Sequence, residues 1–344
     1  METLEHAGEL AATAKELVAE GKGILAADES TPTLGKRFAK LDIESTADSR
    51  RDYRELYFTA EGASDAISGV ILYDETIRQN SSDGTAFPKL LESQGIIPGI
   101  KVDTGAKPLA GAPGETITEG LDGLRERLNE YRAMGARFAK WRAVITIGAG
   151  TPSRYAIETN AHALARYAAL CQEAGIVPIV EPEVLMDGDH SIERCYEVTE
   201  ETLHTVFDQL YHQRVMNEGI LLKPNMVISG TGNATQADVK TVAEMTLKCL
   251  RTTVPATVPG IAFLSGGQSD ELATDHLNEM NRIGDAPWEL SFSYGRALQA
   301  PALNLWKGQA QNLKAAQQAY LLRARCNSAA RSGKYSPDME KSSA

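Results

Sequence analysis

Eight short apolar runs recur along this chain at intervals of roughly 30 to 45 residues, the size of a strand-helix unit. Each has the length and character of a strand buried on both faces. The first four are Gly23-Ile-Leu-Ala-Ala-Asp28, Ser68-Gly-Val-Ile-Leu-Tyr73, Ile97-Pro-Gly-Ile-Lys-Val-Asp103 and Arg137-Phe-Ala-Lys-Trp-Arg-Ala-Val144. Then come Ile176-Val-Pro-Ile-Val-Glu181, Gly219-Ile-Leu-Leu-Lys223, Gly260-Ile-Ala-Phe-Leu-Ser265 and Trp288-Glu-Leu-Ser-Phe-Ser-Tyr294. Helical patterns separate most of them, over about 153–174, 191–217, 234–252, 269–282 and a long stretch 302–326. Thr116-Ile-Thr-Glu119 has the form of a capping box, predicting a helix from there to Met134 that stops at Gly135. No linker or shift in composition divides the series. The expectation is one α/β domain, residues 1–330, followed by a flexible C-terminal tail, 331–344.

Two architectures suit such a series: a (β/α)8 TIM barrel and a doubly wound open sheet. The placement of charge decides for the barrel. Nearly every run ends in a polar or charged residue, and only a closed barrel gathers all its strand ends around one mouth. Lys140 and Arg142 are two apart, as are Glu181 and Glu183, so each pair faces one side of its strand. Inward charges without partners are costly, so these four imply a cavity where opposite charges meet. Pro182 and Pro224 follow Glu181 and Lys223, which predicts that ladder pairing stops near both.

The overall charge narrows what the cavity serves. Of 344 residues, 35 are Lys or Arg and 46 are Asp or Glu, a formal charge of −11. Nucleic-acid affinity comes from a broad basic surface, so any anion must be handled in one local basic site. The four cysteines (Cys171, Cys195, Cys249, Cys326) are far apart, as expected of reduced thiols. No apolar run approaches the roughly 20 residues of a membrane span. A signal-peptide pattern is not visible at Met1, so the expected compartment is the cytoplasm; a plastid form stripped of its transit peptide is the alternative. The six histidines show no ligand spacing such as His-Glu-x-x-His, and Asp187-Gly-Asp-His190 reads as a polar loop. The residues call for no metal and no cofactor.

Lys223 closes a strongly apolar run, unlike an ordinary solvated lysine. An unperturbed lysine is neutral only about four times in ten thousand at pH 7, and attack on a carbonyl needs the neutral amine. Displacing that equilibrium about a thousandfold costs about 4 kcal/mol, within reach of burial plus a neighbouring cation. Lys140 is the candidate cation. Asp28, Glu181 and Glu183 are candidates for proton transfer or for salt bridges, and spacing alone does not rank them. Ser265-Gly-Gly267 and Tyr294-Gly-Arg296 follow the last two runs, where barrels commonly bind phosphate. Glycine admits backbone donors to an anion there, and Arg296 adds a charged fork.

Taken together, the motifs resemble the class I fructose-bisphosphate aldolases. The likeness runs through Gly21-Lys-Gly-Ile-Leu-Ala-Ala-Asp-Glu-Ser30, Lys101-Val-Asp103, Ala139-Lys-Trp-Arg142, Ile179-Val-Glu-Pro-Glu183, Leu221-Leu-Lys-Pro-Asn-Met-Val227, Phe263-Leu-Ser-Gly-Gly-Gln-Ser269 and Phe292-Ser-Tyr-Gly-Arg-Ala-Leu-Gln299. It implies reversible, metal-independent cleavage of fructose 1,6-bisphosphate to dihydroxyacetone phosphate and glyceraldehyde 3-phosphate, in glycolysis and gluconeogenesis. Lys223 matches the Schiff-base lysine, Glu181 the main general acid/base and Asp28 the group that assists carbon–carbon cleavage. Lys140 and Glu183 match groups that tune the site's charge. Ser265, Gly266, Gly295 and Arg296 match the binder of one phosphate. Ser30, Thr33, Lys101 and Arg142 lie where the other phosphate and the sugar hydroxyls are expected. The resemblance also implies a homotetramer acting on small sugar phosphates, with no nucleic-acid or membrane partner. Two departures stand out. Thr33 takes the place of a serine hydroxyl, and the tail lacks the final tyrosine with which many relatives assist proton exchange. A transaldolase-like enzyme or monophosphate aldolase would keep the lysine but need only one phosphate pocket. A non-catalytic binding protein on the same scaffold is the third reading.

Overall fold

The structure, a computed structural model, describes residues 5–341. Eight parallel strands close into one barrel: β1 (Gly23–Ala27), β2 (Ile67–Leu72), β3 (Ile97–Lys101), β6 (Phe138–Ile145), β7 (Val177–Val184), β8 (Leu221–Leu222), β9 (Gly260–Phe263) and β10 (Glu289–Tyr294). Neighbours around the ring are neighbours in sequence, and β10 pairs with β1 to close it. The two remaining strands, β4 (Gly105–Pro108) and β5 (Thr116–Glu119), form an antiparallel hairpin outside the ring. The helices are α1 (Ala7–Leu17), α2 (Thr31–Ala39), α3 (Ala47–Phe58), α4 (Asp74–Ile77), α5 (Phe87–Ser93) and α6 (Leu124–Ala133) in the first half. In the second half come α7 (Arg154–Glu173), α8 (Ile192–His212), α9 (Val239–Thr253), α10 (Asp270–Ile283), α11 (Arg296–Trp306) and α12 (Leu313–Arg331). The eight apolar runs are the eight barrel strands, as the TIM-barrel reading required. Among the described residues, no helix is long and apolar enough to cross a membrane.

Alternation along the strands sorts the core into two apolar bodies. Residues such as Leu25, Ala139, Trp141, Val180 and Leu222 face outward to the helices in one large cluster. Ile24, Ala26, Ile71, Phe138, Val177, Ile179, Leu221 and Ala262 face the barrel interior. Leu10, Ala14 and Leu17 of α1, spaced four and three apart on one helical face, join that interior cluster. They close the end of the barrel where the strands begin. Phe138 fills the interior because Gly99 leaves room: a Cβ there would lie 2.3 Å from its ring. Each fully buried Leu, Ile or Phe of this plug contributes about 1.5–3 kcal/mol. Two residues further along the same inward rows come Asp28, Lys140, Glu181 and Lys223. The apolar plug thus forces every inward charge to the opposite end.

Three local expectations are corrected. Thr116–Glu119 is a strand, not the start of a helix. Thr116 and Thr118 give their hydroxyls to Val144 O and Arg142 O of β6 rather than to a helix end, and α6 begins only after Gly123, at φ 65°. The long helix expected over 302–326 is two helices, broken where Lys307 and Gly308 both take positive φ (48° and 71°). Ladder pairing also does not stop at Glu181: β7 pairs with β6 as far as Ile145↔Val184. Even-numbered residues of β7 point their backbone groups toward β8, whose pairing ends at Val180↔Leu222. The N–H that Pro182 lacks would face that open side, so the proline leaves the β6 ladder intact.

Part of the segment expected as a tail packs against the rest of the chain. Tyr335 is buried, its N–H donates to Asn278 Oδ1 (2.9 Å) and its hydroxyl to Glu340 Oε1 (3.1 Å). Glu340 in turn pairs with Arg323 of α12.

Candidate active site

The mouth of the barrel holds a cavity of about 470 Å³. Asp28, Ser30, Thr33, Lys101, Lys140, Arg142, Glu181, Glu183, Lys223, Ser265, Gly266, Gly295 and Arg296 all line it. The structure therefore brings every residue singled out from the sequence to one place. Six lining side chains are cationic (Arg37, Lys101, Lys140, Arg142, Lys223, Arg296) and six acidic (Asp28, Glu29, Asp103, Glu181, Glu183, Asp187). On a chain carrying −11, this patch is locally balanced, which an anion requires.

At the floor the charges are paired tightly. Lys223 Nζ lies 3.1 Å from Glu181 Oε1, and Lys140 Nζ lies 2.7 Å from Asp28 Oδ2 and 3.3 Å from Glu181 Oε2. Lys140, Glu181 and Lys223 are buried, and Asp28 is only slightly more exposed. Burial pushes the Asp28 carboxyl up, but Lys140, Lys223 and Lys101 outweigh it and hold it well below the usual carboxylate range. Burial likewise opposes ionisation of Glu181, and Lys140, Lys223 and Arg142 together hold its pKa below the ordinary value. For Lys140 burial is again overcome, by Asp28 and Glu181, and its pKa stands well above that of a free lysine. This alters the expected part of Lys140: its charge is taken up by two carboxylates rather than standing as a bare cation beside Lys223. Glu181 Oε2 makes no aligned hydrogen bond even so, leaving an acceptor at the centre of the cluster.

Local sequence fixes these positions. Lys223 N–H donates to Val180 O (2.8 Å), extending the ladder one residue past β8. Beyond that point the backbone ladder between β7 and β8 ends, and the Asn225 side chain continues it by accepting Val184 N–H on its Oδ1 (3.0 Å). Glu183 pairs with Arg142 rather than with a lysine. Glu29, between Asp28 and Ser30, is clamped by Arg37 and the buried Arg54, both at 2.5 Å. That clamp sets the turn presenting both neighbours.

Two further groups of lining residues carry backbone turns and hydroxyls suited to an anion. In one, Ser265 leads into Gly266 (φ 61°) and Gly267 (φ 97°), conformations that glycine adopts without strain. A Cβ on Gly267 would also lie 3.2 Å from Met186 Sδ. Gly295 caps α11 beside them, and Arg296 opens that helix. In the other, Ser30 caps α2, with its Oγ 3.0 Å from Thr33 Oγ1. Free N–H groups at these helix starts favour negative charge. Lys101 and Arg142 line the cavity as well.

Asp103, Glu29, Arg37, Asp187 and Ser293 also line the cavity and were not singled out from the sequence. Asp103 was legible, since Lys101 and Asp103 repeat the two-residue spacing of Lys140 and Arg142. Its Oδ2 accepts Arg142 N–H (3.3 Å) and its Oδ1 accepts Gly105 N–H (3.2 Å). Asp187 belongs to the loop 186–190, which is stitched to the next loop by Thr231 N–H to Met186 O (2.8 Å) and Gly232 N–H to Gly188 O (2.7 Å). Among the described residues, no three His, Cys, Asp or Glu side chains gather in a metal-binding group. All four cysteines are buried and free.

Comparison with known proteins follows the same lines. A family profile described as "Fructose-bisphosphate aldolase class-I" matches residues 9–344. A "Probable fructose-bisphosphate aldolase class 1" of Xanthomonas campestris pv. campestris is 62% identical over 328 residues, covering 95% of this chain and 98% of that protein. "Fructose-bisphosphate aldolase 6, cytosolic" of Arabidopsis thaliana is 53% identical over 337 residues, 98% of this chain and 94% of that one. Among solved structures, fructose-bisphosphate aldolase from Plasmodium falciparum, crystallised with TRAP and a small-molecule inhibitor, superposes with a TM-score of 0.96. It is 49% identical, with 97% of each chain covered.

Proposed function

The chain belongs to the class I fructose-bisphosphate aldolase family, and from that premise we propose how its own residues share the work. The activity is reversible cleavage of fructose 1,6-bisphosphate to dihydroxyacetone phosphate and glyceraldehyde 3-phosphate through a lysine Schiff base. One observation carries the assignment of roles: a buried lysine amine 3.1 Å from a buried glutamate, in a cavity also lined by Ser265, Arg296, Lys101 and Arg142. Lys223 Nζ adds to the C2 ketone, giving a carbinolamine. Glu181 takes the ammonium proton at Oε1 and returns a proton to the departing hydroxyl, so that water leaves and an iminium forms. The iminium then draws the C3–C4 bonding pair into an enamine. Asp28, kept ionised by Lys140, receives the C4 hydroxyl proton as glyceraldehyde 3-phosphate departs. Solvent supplies the proton that the enamine takes at C3 and takes up the one held by Asp28, and hydrolysis then releases dihydroxyacetone phosphate and restores the amine.

Ser265, Gly266, Gly295 and Arg296 hold one phosphate in this reading, and Ser30, Thr33, Lys101 and Arg142 hold the other. Two phosphate ends favour the bisphosphate over a monophosphate or transaldolase-type substrate. Glu183 anchors Arg142. The barrel domain is taken as residues 1–330, with 331–344 as its C-terminal extension. A cytoplasmic homotetramer is the expected assembly, in line with relatives named cytosolic, and light scattering in solution should give four times the chain mass.

Borohydride reduction in the presence of dihydroxyacetone phosphate, followed by peptide mapping, tests the nucleophile. A single adduct is expected on the peptide containing Lys223, and an adduct on Lys140 or Lys101 instead would overturn the assignment. A separate expectation concerns Tyr335. It is buried against Asn278 and Glu340 and does not line the cavity. Tyr335→Phe is therefore expected to leave hydrogen exchange at C3 of dihydroxyacetone phosphate unchanged. Selective slowing of that exchange would assign the hydroxyl a part in it.

A further inference from the structure

Gln268 stands behind the loop that presents Ser265 and Gly266, and five bonds converge on it, one of them from its Nε2 to Met226 Sδ at 3.6 Å. Its backbone N–H and its side-chain Nε2 both donate to Ser265 O, at 3.1 and 3.0 Å. Its backbone carbonyl accepts Nη2 of Arg296, whose Nη1 pairs with Asp270 at 3.0 Å. Its side-chain Oε1 lies 2.6 Å from Nδ1 of His276 on α10. Gln268 and His276 are 4% and 2% exposed. His276 takes no part in the steps above.

The partners fix the protons. Gln268 Nε2 faces a carbonyl, so that atom is the amide nitrogen and Oε1 has no hydrogen to give. His276 Nδ1 must therefore carry the proton and donate. Its Nε2 is left as a bare acceptor with no partner. A second proton there would be buried without an acceptor, and burial holds the imidazole pKa down to about 4. An orphaned buried nitrogen is itself costly, at about 1–3 kcal/mol. An apolar side chain would fill this position, between Ala273 and Met280 on α10, without that cost. What the histidine adds is the single directed bond to Gln268.

We propose that His276 is a positioning residue that sets the enzyme's affinity for a substrate phosphate. Through Gln268 it fixes two groups at once: the donors of the Ser265–Gly266 turn and the guanidinium of Arg296. The inference rests on the reading of that turn as a phosphate subsite.

Asparagine places its Nδ2 where histidine has Nδ1, whereas glutamine reaches to the place of Nε2. The test compares His276→Leu, His276→Asn and His276→Gln, with Arg296→Ala in parallel. It reads kcat and KM for fructose 1,6-bisphosphate and the inhibition constant of inorganic phosphate. His276→Leu should raise KM and the phosphate constant about tenfold, the worth of one buried hydrogen bond, with kcat within about twofold. His276→Asn should restore both constants, and His276→Gln should not. Lost packing alone would lower the active fraction, and so kcat, without this split. If His276→Leu fails to fold, the contrast between Asn and Gln decides alone. Wild-type constants in His276→Gln, or Asn as impaired as Gln, would overturn the proposal. An unchanged KM in Arg296→Ala would instead bring down the subsite reading on which it rests.

Discussion

Lys223→Met is expected to lower kcat by about 10⁴-fold or more while the barrel still folds. Methionine nearly matches the lysine stem in length and fills the same buried space, so Leu221, Leu222 and the Asn225 anchor stay packed. Glu181 loses one cation but keeps Lys140 at 3.3 Å. What disappears is the amine, and with it every covalent step. Lys223→Arg separates nucleophilicity from charge, because a guanidinium remains protonated at any pH the protein meets. The same near-total loss is expected from it. Steady-state rates, with circular dichroism to confirm folding, check both variants. An arginine variant that kept more than about a hundredth of the wild-type kcat would show that the position acts through charge alone.

The barrel and its mouth could be read from the sequence because both follow from one rule, alternation along buried strands. Lys140 with Arg142 and Glu181 with Glu183 kept the two-residue period where the apolar residues stopped, and their strands had to deliver them to one end. Pairing among those charges was not legible, since it depends on register between neighbouring strands. Arg142 lies opposite Glu181 in the ladder yet pairs with Glu183. Thr116-Ile-Thr-Glu119 was misread because a capping box and a threonine-rich strand share their residue types. Only the carbonyls of β6, accepting the threonine hydroxyls, tell them apart. His276 carried no signal of its own: a single histidine on an apolar helix face acquires meaning only from Gln268, eight residues earlier.

Lys140→Met should be the variant that costs most in stability, with a large loss of rate beside it. It removes the cation that Asp28 and the buried Glu181 share, leaving Lys223 as the amine paired with Glu181. Removing one partner from a buried ion pair costs about 3–5 kcal/mol, because the partner's charge stays behind unpaired. Loss of an ionised Asp28 and a correctly paired Glu181 should lower kcat by about 10²–10⁴-fold. The pH dependence gives the cause away. In the wild type both carboxyls titrate below their ordinary values. Their contribution to stability is therefore full above the unfolded carboxylate range, about pH 4, and is lost only as the pH falls through the folded values. Without Lys140 the largest charge opposing burial is gone, and the two carboxyls are expected to rise together as a coupled pair. A group raised in the folded state destabilises it above the unfolded value, and that penalty fades as acid protonates the group. The gap in urea midpoint between wild type and variant should thus be widest near pH 7 and narrow toward pH 4. A gap that stayed constant across that range would mean that Lys140 contributes through packing, and the charge network would lose its central cation.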